Sequence, residues 1–309
     1  MKRKLASWGI GFSLITFFCV PEIIHATVNH DDPFVPDHYL SYDVHTVSLH
    51  RHHISLKDRF IDWTDFVVQK PFKLLNPTVK RHNGAVYDIR DPKLHYAAYE
   101  LDFDQDLFVD EKVLVINQFG QFEIDAFKVN HILVPTHKKE LAAAFDDKLS
   151  DAHHRDQADH YLCYEIPPVE LDLQSGFLKD QFRSRSFGKM TARHFCNPVA
   201  KKHNDRVFDI VHNDSTNHLM CFEIERESIW KAVELINQFG EKKVLATHDD
   251  ELCVPSASIN IPRECSQGQP SDGGMCNGYC DDPTLTCLPD TSGGGCYCGI
   301  PYDTCSLGN

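Results

Sequence analysis

Cysteine is almost missing from the first half of this 309-residue chain: before residue 163 only Cys19 occurs, although the chain has twelve cysteines. Basic residues are also scarce, with 31 Lys and Arg against 45 Asp and Glu and a formal net charge of −14. This deficit excludes the basic footprint of a nucleic-acid-binding protein, so we expect no nucleic-acid partner. A hydrophobic fraction of 42% excludes a disordered or collagen-like chain.

Long apolar runs are absent after residue 20, so no later segment offers the ~20 apolar residues that a membrane helix needs. The one such run, Leu5–Val20, follows the basic Lys2–Lys4, and a cleavage position fits after Ala26. This order is typical of a secretory signal peptide over residues 1–26, with an N-terminal anchor as the alternative. The sequence therefore predicts a secreted or extracellular protein, or a periplasmic one, without a membrane span after signal removal.

Motifs of common enzyme chemistry are missing: there is no G-x-S-x-G, H-E-x-x-H, phosphate-loop or dinucleotide pattern. The acidic run Glu100–Asp106 lacks the glycine and glutamate of a calcium loop and reads more simply as the exposed face of a strand. A metal could bind His45, His50, His52 and His53, but exposed histidine clusters are more often incidental. We therefore expect no enzyme activity, no metal and no cofactor.

The chain instead repeats itself. Ile116–Gly120 returns unchanged as Ile236–Gly240, and residues 37–137 and 159–258 are two copies of one domain. Each copy is itself doubled, because a histidine, a phenylalanine and a proline recur four times, 21–24 and then 16–17 residues apart. These landmarks, which we interpret as structural, are His38, His95, His160 and His218; Phe60, Phe119, Phe182 and Phe239; and Pro77, Pro135, Pro198 and Pro255. They define units one to four.

Short runs of β-branched and aromatic residues, such as 112–116 and 233–239, predict strands. A unit of ~40 residues cannot bury a sufficient core alone, so two units must pack together. The predicted fold class is all-β: two duplicated sandwich- or barrel-like domains, each of two pseudo-symmetric units, plus a small disulfide-rich C-terminal module.

Three segments lie outside the repeats: 27–36 before the first domain, a linker over 138–158 and a tail over 259–309. In the linker, an apolar residue recurs every four positions at Leu141, Phe145 and Leu149, which predicts a short amphipathic helix. The tail has seven cysteines and no lysine, so cross-links rather than a core should hold it together.

The second domain has a cysteine pair in each unit. The two pairs are spaced 33 and 32 residues apart, at Cys163 and Cys196 and at Cys221 and Cys253. The first domain lacks all four together, with Ser41, Leu75, Ala98 and Leu133 at the equivalent positions. Joint absence is what disulfides predict, and equal spacing favours bonds within a unit, with crossing between units as the alternative. Four buried free thiols are a further alternative.

The tail cysteines also favour disulfides over zinc, because C-x-C is too tight for a zinc pair. They are Cys265, Cys276, Cys280, Cys287, Cys296, Cys298 and Cys305. Seven is an odd number, so one thiol is left over, and Cys305 near the terminus is the candidate. It could remain free, carry a small-molecule cap or link two chains into a dimer.

Several segments carry a family resemblance: Lys179–Phe182, Phe195–Val199, Asn237–Gly240 and Leu252–Ser256. They resemble an exported bacterial domain, often in tandem and beside Cys-rich segments, with the pattern DQFG…LCNPV…HLxCY…NQFG…LCVPS. The resemblance covers the second domain and, without its cysteines, the first. The family has no assigned activity, so the resemblance implies an exported bacterial origin and no functional residue.

Repeated β-modules without a catalytic motif usually present surfaces, so we expect an exported, non-enzymatic extracellular binding or surface-structural protein. Its partner would be an unknown extracellular protein or glycan. One alternative is a secreted hydrolase or its accessory subunit, which would need convergent carboxylates or histidines in a cleft. A second is a secreted inhibitor that acts through the Cys-rich tail.

Overall fold

A computed structural model describes residues 35–47, 51–102, 107–141, 158–212, 216–261, 286–289 and 296–299. These residues are all-β and include no helix, which confirms the predicted fold class. The described residues therefore contain no helix that could cross a membrane. The predicted signal peptide over 1–26 lies outside the described residues.

Unit one contributes β1 (Tyr39–His45), β2 (His52–Lys57), β3 (Thr64–Pro77), β4 (Val79–His82) and β5 (Ala85–Tyr87). Unit two contributes β6 (His95–Asp102), β7 (Phe108–Asn117) and β8 (Gly120–Glu140). Unit three contributes β9 (His160–Lys179), β10 (Ser184–His203) and β11 (Arg206–Phe208), and unit four β12 (His218–Asn237) and β13 (Gly240–Asn260). In the tail, β14 (Thr286–Pro289) pairs with β15 (Cys296–Gly299).

Each unit is a long antiparallel hairpin whose turn is built by a repeated Asx-x-Phe motif. In unit four, Asn237 Oδ1 accepts a 2.9 Å hydrogen bond from the backbone N–H of Phe239, and Gly240 follows with a φ of +93°. The other turns are capped in the same way by Asp58, Asn117 and Asp180. Side-chain capping, with glycine's access to positive φ, explains why Asn-Gln-Phe-Gly turns the chain.

The hairpins together form a closed ring of eight antiparallel strand segments. Around the ring the order is β1, β3, β6, β8, β9, β10, β12 and β13, and β13 pairs again with β1. Two of these contacts, β8 with β9 and β13 with β1, join residues 37–137 to 159–258. The ring therefore contains strands of both halves of the chain.

Beyond the ring each hairpin continues as an arm, and the arm tips are exchanged between opposite units. Units one and three pair reciprocally, as do units two and four. The registers include Leu56 with Lys201, Leu178 with Lys80, Ile116 with Ala257 and Ile236 with His137. Each arm tip thus pairs with a strand of the unit that lies two units away in the chain.

Two hydrophobic cores follow from this arrangement. A small core contains side chains from one face of the ring strands, including Tyr39, Tyr96, Tyr161 and Leu219. A larger one contains the intervening positions together with residues of the arms. Because successive strand side chains point to opposite faces, ring strands need buried residues on both faces. This explains why Tyr39–Tyr42 is buried without interruption.

The exchanged arms also correct the sequence-based boundaries. β8 extends to Glu140, so Lys138–Glu140 is strand and not the start of the predicted linker helix, because it pairs with the tip of unit four. The rest of that predicted helix, apart from Leu141, lies outside the described residues. β13 likewise continues past residue 258 to pair with β7. The segments 37–137 and 159–258 share one sheet, and their independence as domains stays a prediction.

Candidate functional site

A β-bulge interrupts the ring at the same place in every unit, five residues before the closing proline. The bulged residues are Phe72, Asn130, Arg193 and Asp250. A bulge inserts an extra residue in one strand, bends that strand and re-aims its side chains. The fourfold repeat of the sequence therefore creates four re-aimed positions at one end of the ring.

Twelve side chains at this end form what we call the mouth cluster. Each unit supplies its bulged residue, the next residue and the acid opposite that residue in the hairpin. The members are Asp43, Phe72 and Lys73; Glu100, Asn130 and His131; Glu165, Arg193 and His194; and Glu223, Asp250 and Glu251. Six carboxylates face only two permanent cations, so the mouth cluster is acidic.

Lys73 is the cation among the acids of units one and four. Its Nζ lies 2.5 Å from Asp250 Oδ1, 3.6 Å from Asp43 Oδ1 and 3.7 Å from Glu251 Oε2. Burial opposes the charged ammonium, but attraction to Glu251 and Asp250 outweighs it and raises the pKa of Lys73. Burial raises the pKa of Asp250 to about 6 despite that neighbour. A charged lysine therefore ties unit one to unit four.

Two histidines, His131 of unit two and His194 of unit three, contact residues of units one and four in the mouth cluster. His194 Nδ1 lies 2.7 Å from Glu251 Oε1, and its ring centroid is 5.0 Å from that of His131, which is 5.3 Å from Phe72. Burial works to raise the pKa of Glu251, but Lys73 and His194 lower it well below its ordinary value. Burial and the neighbouring His194 hold the pKa of His131 well below its ordinary value. All four units thus meet at the mouth cluster.

The disulfides lie inside the ring next to this cluster. They join Cys163 to Cys196 and Cys221 to Cys253, the within-unit arrangement that the equal spacing favoured. Both are cross-strand pairs at equivalent ring positions. In the first half these positions hold Ser41 opposite Leu75 and Ala98 opposite Leu133, with both leucines buried.

A groove of about 840 Å³ adjoins the mouth cluster and is lined by β9, β10 and β12. Arg193 Nε donates to Glu223 Oε2 at 2.8 Å, and both residues belong to the groove and the mouth cluster. The remaining charged lining consists of Glu170, Asp172, Arg185, Lys189 and Glu225, and apolar lining comes from Leu171, Phe187, Met190 and Ile224. The groove therefore offers both signs of charge beside apolar surface.

A buried ion network fixes one side of this groove. Arg185 Nη1 lies 2.5 Å from Asp249 Oδ1, and its Nη2 lies 3.2 Å from Glu227 Oε1. Arg183 Nη1 is 3.3 Å from the other Asp249 oxygen. Arg185 and Asp249 are almost fully buried, so the network holds the arm of unit three against unit four.

The four landmark histidines are all buried and lie away from the mouth cluster, beside the turn of the next unit. His38 Nε2 is 3.2 Å from Gln118 Oε1, and His160 Nε2 is 2.7 Å from Gln238 Nε2. His95 Nδ1 contacts the backbone oxygen of Lys93 at 3.0 Å. These contacts fix the landmark histidines within the fold, and their structural role stays a prediction.

Unit four departs from this pattern. Neither ring nitrogen of His218 has a hydrogen-bond partner among the described residues. Arg59 stands where the other turns have glutamine, and it donates to Ser258 Oγ. Burial lowers the pKa of Arg59 to about 10. The cation near His218 is therefore Arg59, which belongs to the turn of unit one.

Sequence reasoning missed a buried lysine near each of the other three landmark histidines. They lie three residues after the closing proline, where unit four has Ser258, and are Lys80, Lys138 and Lys201. Each Nζ lies 4.0–5.1 Å from the ring of a landmark phenylalanine. The constant spacing of these lysines from the closing proline could have revealed them. The same is true of the mouth-cluster residues four positions before each closing proline, which are Lys73, His131, His194 and Glu251.

The other candidate groups are dispersed. The ring of His52 stacks on Phe239 at 4.8 Å and meets His203 edge-on, and His50 lies outside the described residues. In the tail, the strand register places Cys287 opposite Cys298. The bonding of the tail cysteines, including the odd Cys305, lies outside the described side chains.

A comparison with protein families agrees with the internal repeats. A family described as a repeat of unknown function (DUF7450) matches residues 128–255. The matched segment runs from the middle of β8 to the closing proline of unit four and so contains the hairpin arms of units three and four. It supports a repeat domain of unknown function. No curated protein and no solved structure matches the chain.

Proposed function

We propose that this chain is an exported, non-enzymatic binding protein whose ligand is an extracellular protein. The observation that carries the proposal is the joint surface of groove and mouth cluster. In a fold built from one unit four times, the ring positions repeat, whereas the four bulged positions of the mouth cluster, each at least partly exposed, are phenylalanine, asparagine, arginine and aspartate. Divergence where four equivalent positions meet is what recognition of an asymmetric ligand requires.

The lining chemistry favours a polypeptide over a glycan. Charged side chains of both signs, Lys189 and Arg193 between Glu170 and Glu223, can pair with a partner's own charges. The aromatic lining residue, Phe187, is buried, so no aromatic face of the described groove is presented for stacking on a sugar. Export is supported by the basic and apolar N-terminus and by two disulfides, which persist in oxidising compartments.

Capture from extracellular fluid by the immobilised mature protein tests the proposal. The parent is compared with a Lys189→Glu, Arg193→Glu variant and with a matched Lys179→Glu, Lys243→Glu control, whose lysines lie outside the groove lining. We expect one salt-sensitive protein partner that the groove variant loses and the control retains. Equal loss in both variants, or capture of a glycan alone, would contradict the proposal.

One observation favours a secreted hydrolase as the second candidate. The adjacent carboxyls of Asp250 and Glu251 have pKa values shifted in opposite directions, which is the pattern of an acid and base pair. Both groups are already engaged, however, by Lys73 and His194. Hydrolysis of a peptide or glycoside by the parent but not by Asp250→Asn would establish this alternative.

A further inference from the structure

A neutral histidine lies against one of the disulfides. A ring nitrogen of His131 and the Sγ atoms of Cys163 and Cys196 all lie within 4.8 Å of one another, and all three residues are buried. Tetrahedral ligands around zinc are ~3.5–4 Å apart. The two Sγ atoms, 2.06 Å apart in the disulfide, would therefore have to separate after reduction, while the imidazole nitrogen would need only a small shift towards them. Imidazole and thiolate are also the ligands that zinc prefers.

The orientation of His131 suits metal binding. Its Nδ1 lies 2.8 Å from the side-chain oxygen of Asn130, which can only accept a hydrogen bond. This contact favours the tautomer with the proton on Nδ1, in which Nε2 carries the lone pair. Metal-binding histidines are commonly held in this way by an acceptor on the other ring nitrogen.

The second disulfide is a natural comparison because its neighbour differs. Cys221 and Cys253 also lie within 4.8 Å of a carboxylate oxygen, that of Glu251, but this carboxylate already contacts His194 at 2.7 Å and Lys73 at 3.7 Å. A metal there would compete with a buried ammonium. The histidine beside the Cys163–Cys196 pair instead contacts an amide and aromatic rings, so its lone pair is not tied to a charged group.

We propose that the Cys163–Cys196 disulfide masks a metal site: when it is reduced, the two thiolates and His131 bind a zinc-class divalent cation inside the ring. A phosphine or dithiol reductant supplies two electrons, the S–S bond breaks, and two protons from solvent give two thiols. Binding of Zn²⁺ then releases both thiol protons to solvent. The fourth ligand position is open to water, as in sites with three protein ligands.

Site-resolved alkylation of the full mature chain tests this proposal despite the other cysteines. The protein is reduced by phosphine under native conditions, incubated with or without Zn²⁺, alkylated and mapped by mass spectrometry. We expect zinc to slow alkylation of Cys163 and Cys196 at least tenfold, and Cys221 and Cys253 much less. His131→Leu should abolish the zinc-dependent protection, and Asn130→Ala should weaken it by ~10–100-fold in zinc concentration.

A fold control and a stoichiometry control complete the experiment. Circular dichroism monitors each reduced variant, and Cys163→Ala with Cys196→Leu, which copies the native pair Ala98 and Leu133, should bind one Co²⁺ fewer than the reduced parent. Zinc-independent alkylation of Cys163 and Cys196 in the parent would overturn the proposal, as would equal protection in His131→Leu. Unfolding on reduction would overturn it too, because all cysteines would then react alike.

Discussion

The two halves of the chain solve one structural problem in different ways. At the same ring positions the second half has two disulfides, and the first half has Ser41 opposite Leu75 and Ala98 opposite Leu133. A disulfide stabilises mainly by restricting the unfolded chain, whereas a buried leucine stabilises by leaving water. Since both occur in one ring, its backbone accepts either a covalent link or apolar contact at these positions.

The largest expected effect comes from removing a cross-link. Cys221→Ala with Cys253→Ala should lower the free energy of unfolding by ~3–4 kcal/mol on the chain-entropy account, measured by urea unfolding. Cys221→Ala with Cys253→Leu, which copies the Ala98 and Leu133 pair of the first half, should recover part of this loss. Because strands of both halves close the ring, probes in both halves should report one transition. Separate transitions for the two halves would contradict the shared ring.

The second-largest effect is expected at Leu133, which occupies in the first half a position where the second half has a disulfide cysteine. Leu133 is 1% exposed, so Leu133→Ala should cost ~3 kcal/mol through lost burial and the cavity left behind. Leu141→Ala is the matched control, because Leu141 is 41% exposed and should change stability by less than about 0.5 kcal/mol. Thermal or urea unfolding of both variants checks this. Similar losses for both would mean that the ring core is not tightly packed.

Equivalent buried lysines allow a pH test of the two halves. Burial lowers the pKa of Lys201 to about 6 and that of Lys80 to about 7, against about 10.5 when unfolded. Between the folded and unfolded values the unfolded chain binds more protons, so stability rises with pH in this window. At pH 7, Lys201→Met should therefore be more stable than the parent by on the order of 2 kcal/mol, because the lost contact of Lys201 Nζ with His160 Nε2 offsets part of the gain.

This advantage should shrink as the pH rises towards 10.5, and Lys80→Met should behave alike in the first half. Urea unfolding at several pH values measures both differences. Lys202→Met serves as the control, because Lys202 is the exposed neighbour of Lys201 and its replacement removes no buried amine. A lysine variant whose advantage grows with pH would have the wrong sign and would refute the assignment of a neutral buried amine.

The smallest expected effect is at the mouth cluster. Arg193 and Glu223 form an ion pair with side-chain exposures of 44% and 55%, so Arg193→Ala should change stability by less than about 0.5 kcal/mol. The same variant should reduce capture of a partner, which separates a binding role from a stabilising one. A stability loss comparable to that of Leu133→Ala would mean that Arg193 stabilises the ring instead.

Sequence reasoning reached the strands, the fourfold repeat and the spacing of the cysteine pairs because these are local or periodic. His38 and its three equivalents could be identified from spacing alone. The turn at Asn237 was missed, because the run 233–239 was predicted as strand, whereas the strand ends at Asn237. The linker prediction was wrong at Lys138–Glu140, since an apolar period cannot reveal that a distant arm tip pairs with this segment. The roles of Lys73 and His131 were missed for a related reason, because a bulge is a property of paired strands.

The amino-acid sequence by itself determined the all-β character, the four units and the capped turns, because alternation, repetition and Asx–Gly chemistry act within a few residues. Only the tertiary structure decided that units one and three, and two and four, exchange their arm tips around a common ring. A single hairpin leaves both of its ring edges and its arm tip unpaired, and unpaired strand edges can be satisfied by any copy of the same unit. The choice of copy depends on closing all eight strand segments at once, and that closure brings the mouth cluster together.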